Sequence, residues 1–307
     1  MCMIRTMEEL VSKAAAAGEG RMAVAVAQDE AVLKAVFAAR KLGLAEPVLV
    51  GDKEEILKIC REDKLDADRV TIIDQPDKAE ACMEAARLVR DGKADFLMKG
   101  FVDTSVILKA VLNKENELRT DGQLSHVLVL QVNGFDRLFY VTDSAMMIAP
   151  DLEQKKAIIN NAVKVAHALG NENPKVAALC AVEKVNPKMS CTEDAKLLTE
   201  MNQKGEITGC VVQGPLALDN AVSLEAAHHK GITGEVAGNA DILLAPDIEA
   251  GNMLNKSMEY FAGAKKAGVI MGAKVPVVLT SRATSAESKL YCIALSALIA
   301  KKKAGES

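Results

Sequence analysis

No CxxC pair occurs among the seven cysteines of this 307-residue chain, and an odd, scattered set is neither a disulfide framework nor a zinc-ligand pattern. Reduced thiols are expected. No basic excess is present either: 38 Lys and Arg stand against 42 Asp and Glu, a formal net charge of −4 with a pI near 5.7. Nucleic acid and membrane surfaces reward the opposite balance, so neither is an expected partner. Long apolar runs are missing as well. The late stretch Tyr291 to Ala300 is half a membrane span, and Glu8 and Glu9 fall where a signal peptide needs apolar residues, so a cytoplasmic protein is expected. The glycines form neither GxGxxG after a strand nor a P-loop, and there is no GxSxG elbow. The four histidines pair with no Cys or Ser in an evident way, which disfavours a covalent triad.

What remains is a chain with half its residues apolar, enough for one large core or two moderate ones, and a length that favours two domains. Short β-branched runs alternate with amphipathic stretches that open on capping residues, the pattern of βα units around a parallel sheet. Strands are expected at Met22–Ala27, Pro47–Val50, Val70–Ile73 and Asp95–Met98, with helices opening at Thr6, Asp29, Asp52, Asp77 and Asp103. The rhythm breaks at His126–Val132 and Phe135–Thr142, joined by Asn133-Gly134, a hairpin signal near a domain seam. It resumes with a helix from Asp151 to Leu169, strand Val176–Val182, a helix after Thr192, and strands Cys210–Gln213 and Asp241–Ala245. A last strand, Pro276–Thr280, lies between two helices and is read as rejoining the first sheet. The expected domains are 1–142 plus 275–307, and 143–274.

Chemistry concentrates at strand ends. Val277 to Glu287 is a strand, a hydroxyl-rich turn and a helix start; free backbone N–H groups, helix dipole, Thr280, Ser281, Thr284 and the Arg282 guanidinium all favour an anion. Thr284 and Glu287 also have capping-box spacing, so Glu287 reads equally as a cap and as a functional carboxylate. Lys99-Gly100 before Asp103-Thr104-Ser105 is a second anion-friendly turn. Arg119, Ser125 and His126 make a polar entry to the hairpin. The run from His228 to Asp241 holds three glycines in eight residues and reads as a phosphate wrap or a mobile loop. Its adjacent His228 and His229 lack a third spaced ligand, so no metal site is expected. Asp247, Gly251 and Asn252 open a long helix at another strand end.

Met98-Lys99-Gly100, Leu118-Arg119, Leu124-Ser125-His126-Val127, Thr142-Asp143-Ser144-Ala145, Gln213 to Asp219, Pro246 to Asn252 and Leu279-Thr280-Ser281-Arg282 together resemble the phosphate acetyl/butyryltransferase family. The forms of the Met-Lys-Gly, Ser-His-Val and Thr-Ser-Arg segments lie nearer its butyryl-transferring members. The resemblance implies two α/β/α domains with an architecture like isocitrate and isopropylmalate dehydrogenases, and an active-site cleft between them. It also implies reversible transfer of a short acyl group between coenzyme A and inorganic phosphate, part of butanoate metabolism, without a metal, a resident cofactor or an acyl-enzyme. Coenzyme A is then a substrate, butyryl-CoA or a related short acyl-CoA and phosphate are the partners, and a homo-oligomer is expected.

Under the same resemblance Ser281, Arg282 and Glu287 are the catalytic candidates. Lys99, Thr104, Arg119, Ser125, His126, Asp143, Asp247, Gly251 and Asn252 are the substrate-binding ones. Acetyl-transferring members carry an Asp seven residues after the turn's Ser, where this chain has Ser288, with Glu287 one place earlier and about 100° round a helix. Two accounts of thiol activation therefore stand: Glu287 as base, or the electrostatic field of the site. Acetyl transfer and a non-catalytic CoA- or acyl-phosphate-binding protein are the alternatives. A decarboxylating dehydrogenase needs a metal-binding aspartate cluster, for which Asp241 and Asp247 are too few.

Overall fold

Capping carboxylates and buried β-branched runs set the chain's rhythm in the computed structural model, which describes residues 3–120, 122–281 and 284–305. In chain order α1 (Met7–Ala16), β1 (Gly20–Ala25), α2 (Glu30–Lys41), β2 (Ala45–Gly51), α3 (Lys53–Glu62), β3 (Thr71–Asp74), α4 (Lys78–Arg90), β4 (Phe96–Lys99) and α5 (Thr104–Leu112) come first. Then follow β5 (Ser125–Gln131), β6 (Leu138–Thr142), α6 (Leu152–Ala168), β7 (Lys175–Leu179), α7 (Ser190–Gln203), β8 (Val211–Leu216), α8 (Leu218–Val222), α9 (Leu224–His229) and β9 (Ile242–Leu244). The chain closes with α10 (Ile248–Tyr260), β10 (Lys265–Met271), β11 (Val277–Val278) and α11 (Ala286–Gly305). Asp29, Asp52 and Asp77 cap α2, α3 and α4 through their side chains, as the sequence predicts.

The chain folds as two units, a flanking unit of residues 7–122 with those from 267 onward, and a central unit of residues 123–266 with those before 7. The flanking unit orders its strands β3-β2-β1-β4-β11-β10. β1 is parallel to β2 and β4, and β11 runs parallel to β4 with Val278 opposite Met98, so the last strand does rejoin the first sheet. Met22, Val24, Leu33, Leu49, Phe96, Leu97 and Met98 form its buried core. Central strands run β5-β6-β9-β7-β8, with β5 and β6 antiparallel and the remaining pairs parallel. Leu128, Leu130, Phe139, Val141, Ala177 and Leu243 belong to the buried cluster beneath them.

Three local expectations need correction. The hairpin pairs only from Gln131 opposite Leu138, because the turn is wider than a two-residue connection. Phe135 N–H bonds Val132 O and Gly134 alone of the turn's central pair takes a positive φ, 87°, whereas a type I′ turn needs it at Asn133 too. Helix α7 starts at Ser190, before Thr192, whose hydroxyl donates to the Met189 carbonyl instead of capping. The long helix after Asp247 stops at Tyr260, with Gly263 at φ 58°, and the unpredicted strand β10 follows. Its leading lysines and Gly268 conceal it from a reading of apolar runs. Among the described residues no helix is long and apolar enough to cross a membrane, and the six described cysteines are free.

Candidate active site

In the flanking unit the strands run outward from β1 through β2 to β3 on one side, with β4 on the other, so the switch in strand order lies between β1 and β4. Ligands of open α/β sheets collect at the carboxyl ends beside such a switch. Ala25 stands opposite Lys99 there, and Val26 beyond it takes a φ of 57°, rarely adopted by a β-branched residue. Gly100 N–H bonds Ala25 O at 2.8 Å and Phe101 N–H bonds Val26 O at 2.7 Å. A Cβ on Gly100 would come 2.1 Å from Val26 O, so only glycine fits. Lys99 is buried and curls over its own loop, Nζ donating to the carbonyls of Val102 at 2.9 Å and Gly100 at 3.2 Å. Thr104 is exposed in the first turn of α5, where Asp103 makes no side-chain capping bond. Arg119 is exposed too, its backbone bridging to Ala273.

The register of β11 on β4 carries Leu279, Thr280 and Ser281 to the same edge as Lys99 and Gly100. Thr280 and Thr284 are buried, Ser281 is exposed, and Thr284 N–H bonds Ser281 O at 3.0 Å. Arg282 lies outside the described residues. The capping-box reading of Thr284 and Glu287 is not what forms. Ser285, one residue later, accepts from Ser288 N–H at 3.2 Å, because α11 begins at Ala286. Glu287 is exposed and accepts a 2.7 Å hydrogen bond from the Tyr291 hydroxyl one helical turn on.

The central unit gathers a second group. Ser125 and His126 open β5; Asp143 and Ser144 follow the end of β6, and Ala245 N–H bonds Thr142 O at 2.7 Å, drawing the end of β9 alongside. His126 Nδ1 and Ser144 Oγ are 2.8 Å apart, both residues being buried. Burial, and secondarily the Lys266 ammonium, push the His126 imidazole down to about 4, so it is neutral at pH 7. Burial pushes the Asp143 carboxyl the other way, above the usual carboxylate range, against backbone N–H bonds from Ala145 at 2.9 Å and Met146 at 3.0 Å. Asp247 caps α10 by accepting from Ala250 N–H at 2.8 Å. A Cβ on Gly251 would lie 2.4 Å from Asp143 O, which is why glycine stands there, and the Asn252 side chain donates to Ser144 O at 3.3 Å.

Two groups thus emerge: Lys99, Thr104 and the Thr280–Ser281 turn at one sheet edge, and Ser125, His126, Asp143, Asp247, Gly251 and Asn252 at the other unit's strand ends. Sequence reading misses Ser144 as the partner of His126, and Asn161, whose amide donates to Ser125 Oγ at 2.9 Å from α6, 36 residues away. No local signal could have found Asn161; Ser144 sits inside the Thr-Asp-Ser-Ala segment already singled out. In the glycine-rich run from His228, the Gln213 amide donates to Thr233 O at 2.8 Å and accepts from Val236 N–H at 3.3 Å. No cluster of three metal-ligating side chains exists among the described residues.

A family model described as phosphate acetyl/butaryl transferase matches residues 6–84 and 77–297. The chain is 51% identical over 301 residues to a phosphate butyryltransferase of Clostridium acetobutylicum, covering 98% of this chain and 100% of that one. It is 48% identical over 294 residues to a phosphate acetyltransferase of Thermotoga maritima, covering 96% of this chain and 99% of that one. A solved structure, the branched-chain phosphotransacylase from Enterococcus faecalis V583, superposes with a TM-score of 0.81 at 36% identity, over 91% of this chain and 99% of that one.

Proposed function

The chain belongs to the phosphate acetyl/butaryl transferase family, and on that premise we propose that it catalyses the reversible reaction butyryl-CoA + phosphate = butyryl phosphate + CoA. The carrying observation is the end-to-end likeness to phosphate butyryltransferases, of which 100%, 99% and 96% of the length is matched. Acetyl transfer is less favoured, since the relatives above 48% identity carry the butyryl name.

A phosphate oxygen attacks the thioester carbonyl carbon, the carbonyl oxygen gains negative charge, and the carbon–sulfur bond breaks to release CoA thiolate, which takes up a proton. Arg282, with a guanidinium suited to bidentate contact, holds phosphate, and the exposed Ser281 hydroxyl hydrogen-bonds the reacting carbonyl or phosphate. Glu287 takes the thiol proton in the reverse direction, where thiolate is the nucleophile. Lys99, Thr104 and Arg119 serve the anionic groups of the substrates. Ser125, His126, Asp143, Asp247, Gly251 and Asn252 supply further substrate contacts, His126 as an uncharged hydrogen-bonding group. Transfer is direct, without an acyl-enzyme; CoA is substrate, and no resident cofactor is needed. We place the protein in the cytoplasm; a homo-oligomer is supported by Met253, Tyr260 and Phe261, which are 66%, 68% and 90% exposed along and just beyond α10.

The test is release of free thiol from butyryl-CoA and acetyl-CoA, with and without phosphate. Strictly phosphate-dependent release, faster with butyryl-CoA, is expected. Faster turnover of acetyl-CoA would shift the reading to acetyl transfer, and a phosphate-independent burst would point to an acyl-enzyme. No release from any acyl-CoA would leave a binding protein.

A further inference from the structure

Lys289 is placed against three rules at once. It is 2% exposed, it lies in the first turn of α11 where the helix dipole is positive, and its Nζ donates to a neutral group, the carbonyl of Thr284. Burial drives its amine below the ordinary lysine range, while the carboxylate of Asp29, beyond the end of β1, acts in the opposite sense. Asp29 is itself occupied in capping α2, accepting from Val32 N–H at 2.9 Å. A Leu or Met would fill the same space with no ammonium to desolvate. Local rules broken without a compensating gain in stability mark positions retained for function.

The contacts of Lys289 say which function. Its Nζ holds Thr284 O, and Thr284 N–H in turn holds Ser281 O at 3.0 Å, so two consecutive hydrogen bonds tie the buried ammonium to the backbone of Ser281. We propose that Lys289 is a positioning residue for phosphate: it fixes the Thr284 and Ser281 legs of the turn and sets a positive charge behind them. A dianion arriving there meets N–H groups, hydroxyls and a buried cation whose field is little screened by water. This inference rests on the transferase reading above.

Lys289→Met and Lys289→Arg, with KM measured separately for phosphate and butyryl-CoA, test it. The Met variant is expected to raise the phosphate KM about tenfold or more, the loss of one charge-assisted interaction. Its butyryl-CoA KM should stay within about twofold, and its melting temperature unchanged or higher, since a buried charge has been removed. Arg, which keeps the charge, should restore most of the phosphate affinity. A phosphate KM unchanged in the Met variant overturns the proposal. So does a parallel rise of both KM values with a lower melting temperature, which marks a merely structural lysine. If Met does not fold, Lys289→Gln is read the same way; if no substitution folds, Lys289 is a fold residue and the proposal fails. Should the parent show no phosphate-dependent CoA release, the transferase reading falls first. Calorimetric titration of inorganic phosphate into parent and Met variant still reads Lys289 by itself.

Discussion

Single positions in the central unit work under opposed electrostatic pulls. His126, pushed down to about 4 by burial, would titrate near 6.5 in the unfolded chain. Between those values the unfolded chain binds a proton that the folded one refuses, so stability falls as pH drops through about 6.5 to 4, by up to about 3 kcal/mol. Asp143 acts with the other sign: burial raises its carboxyl above the ordinary carboxylate value, so the fold binds that proton more readily than the unfolded chain and the contribution grows as pH falls. The upper part of the His126 window lies farthest from the ordinary carboxylate range. Urea unfolding of the parent from pH 7 to 5 is expected to show falling stability, and His126→Gln, which keeps a hydrogen-bonding group for Ser144, a shallower slope. Equal slopes would mean that the histidine is not buried as a neutral group. Gly100 and Gly251 are another residue-scale requirement, each admitting a neighbouring carbonyl where a methyl group cannot go.

Strand, turn and helix act as one device between β11 and α11. β11 is only Val277–Val278, yet its register on β4 sets Thr280 and Ser281 beside Lys99 and Gly100. Ser285 then opens α11 with its N–H groups and positive dipole end beside the turn. Arg282 belongs to this element by sequence, and its substitution tests the element's purpose. Arg282→Ala is expected to lower turnover by about two to three orders of magnitude and to weaken phosphate use, with the unfolding transition retained. Steady-state kinetics beside thermal unfolding measures both, and unchanged kinetics would remove Arg282 from the mechanism.

At the scale of the molecule, the exposed apolar side chains of α10 bear on assembly. Light scattering is expected to give a mass that is a multiple of the 32.7 kDa chain; 32.7 kDa alone would refute the homo-oligomer. Sequence by itself determined the βα alternation, the capping aspartates and the family, because period, caps and segment spacing are local properties written residue by residue. The strand-end positions of Lys99, Ser281 and Gly251 were legible for that reason. Tertiary structure alone decided that His126 meets Ser144, that Asn161 holds Ser125, and that Lys289 is buried. Those facts depend on which segments pack together, and burial or a partner 36 residues away leaves no periodic trace in the chain. The turn's hydroxyl-rich strand-to-helix pattern could thus be read from its own residues, whereas the burial of Lys289 became visible only once α11 was in place.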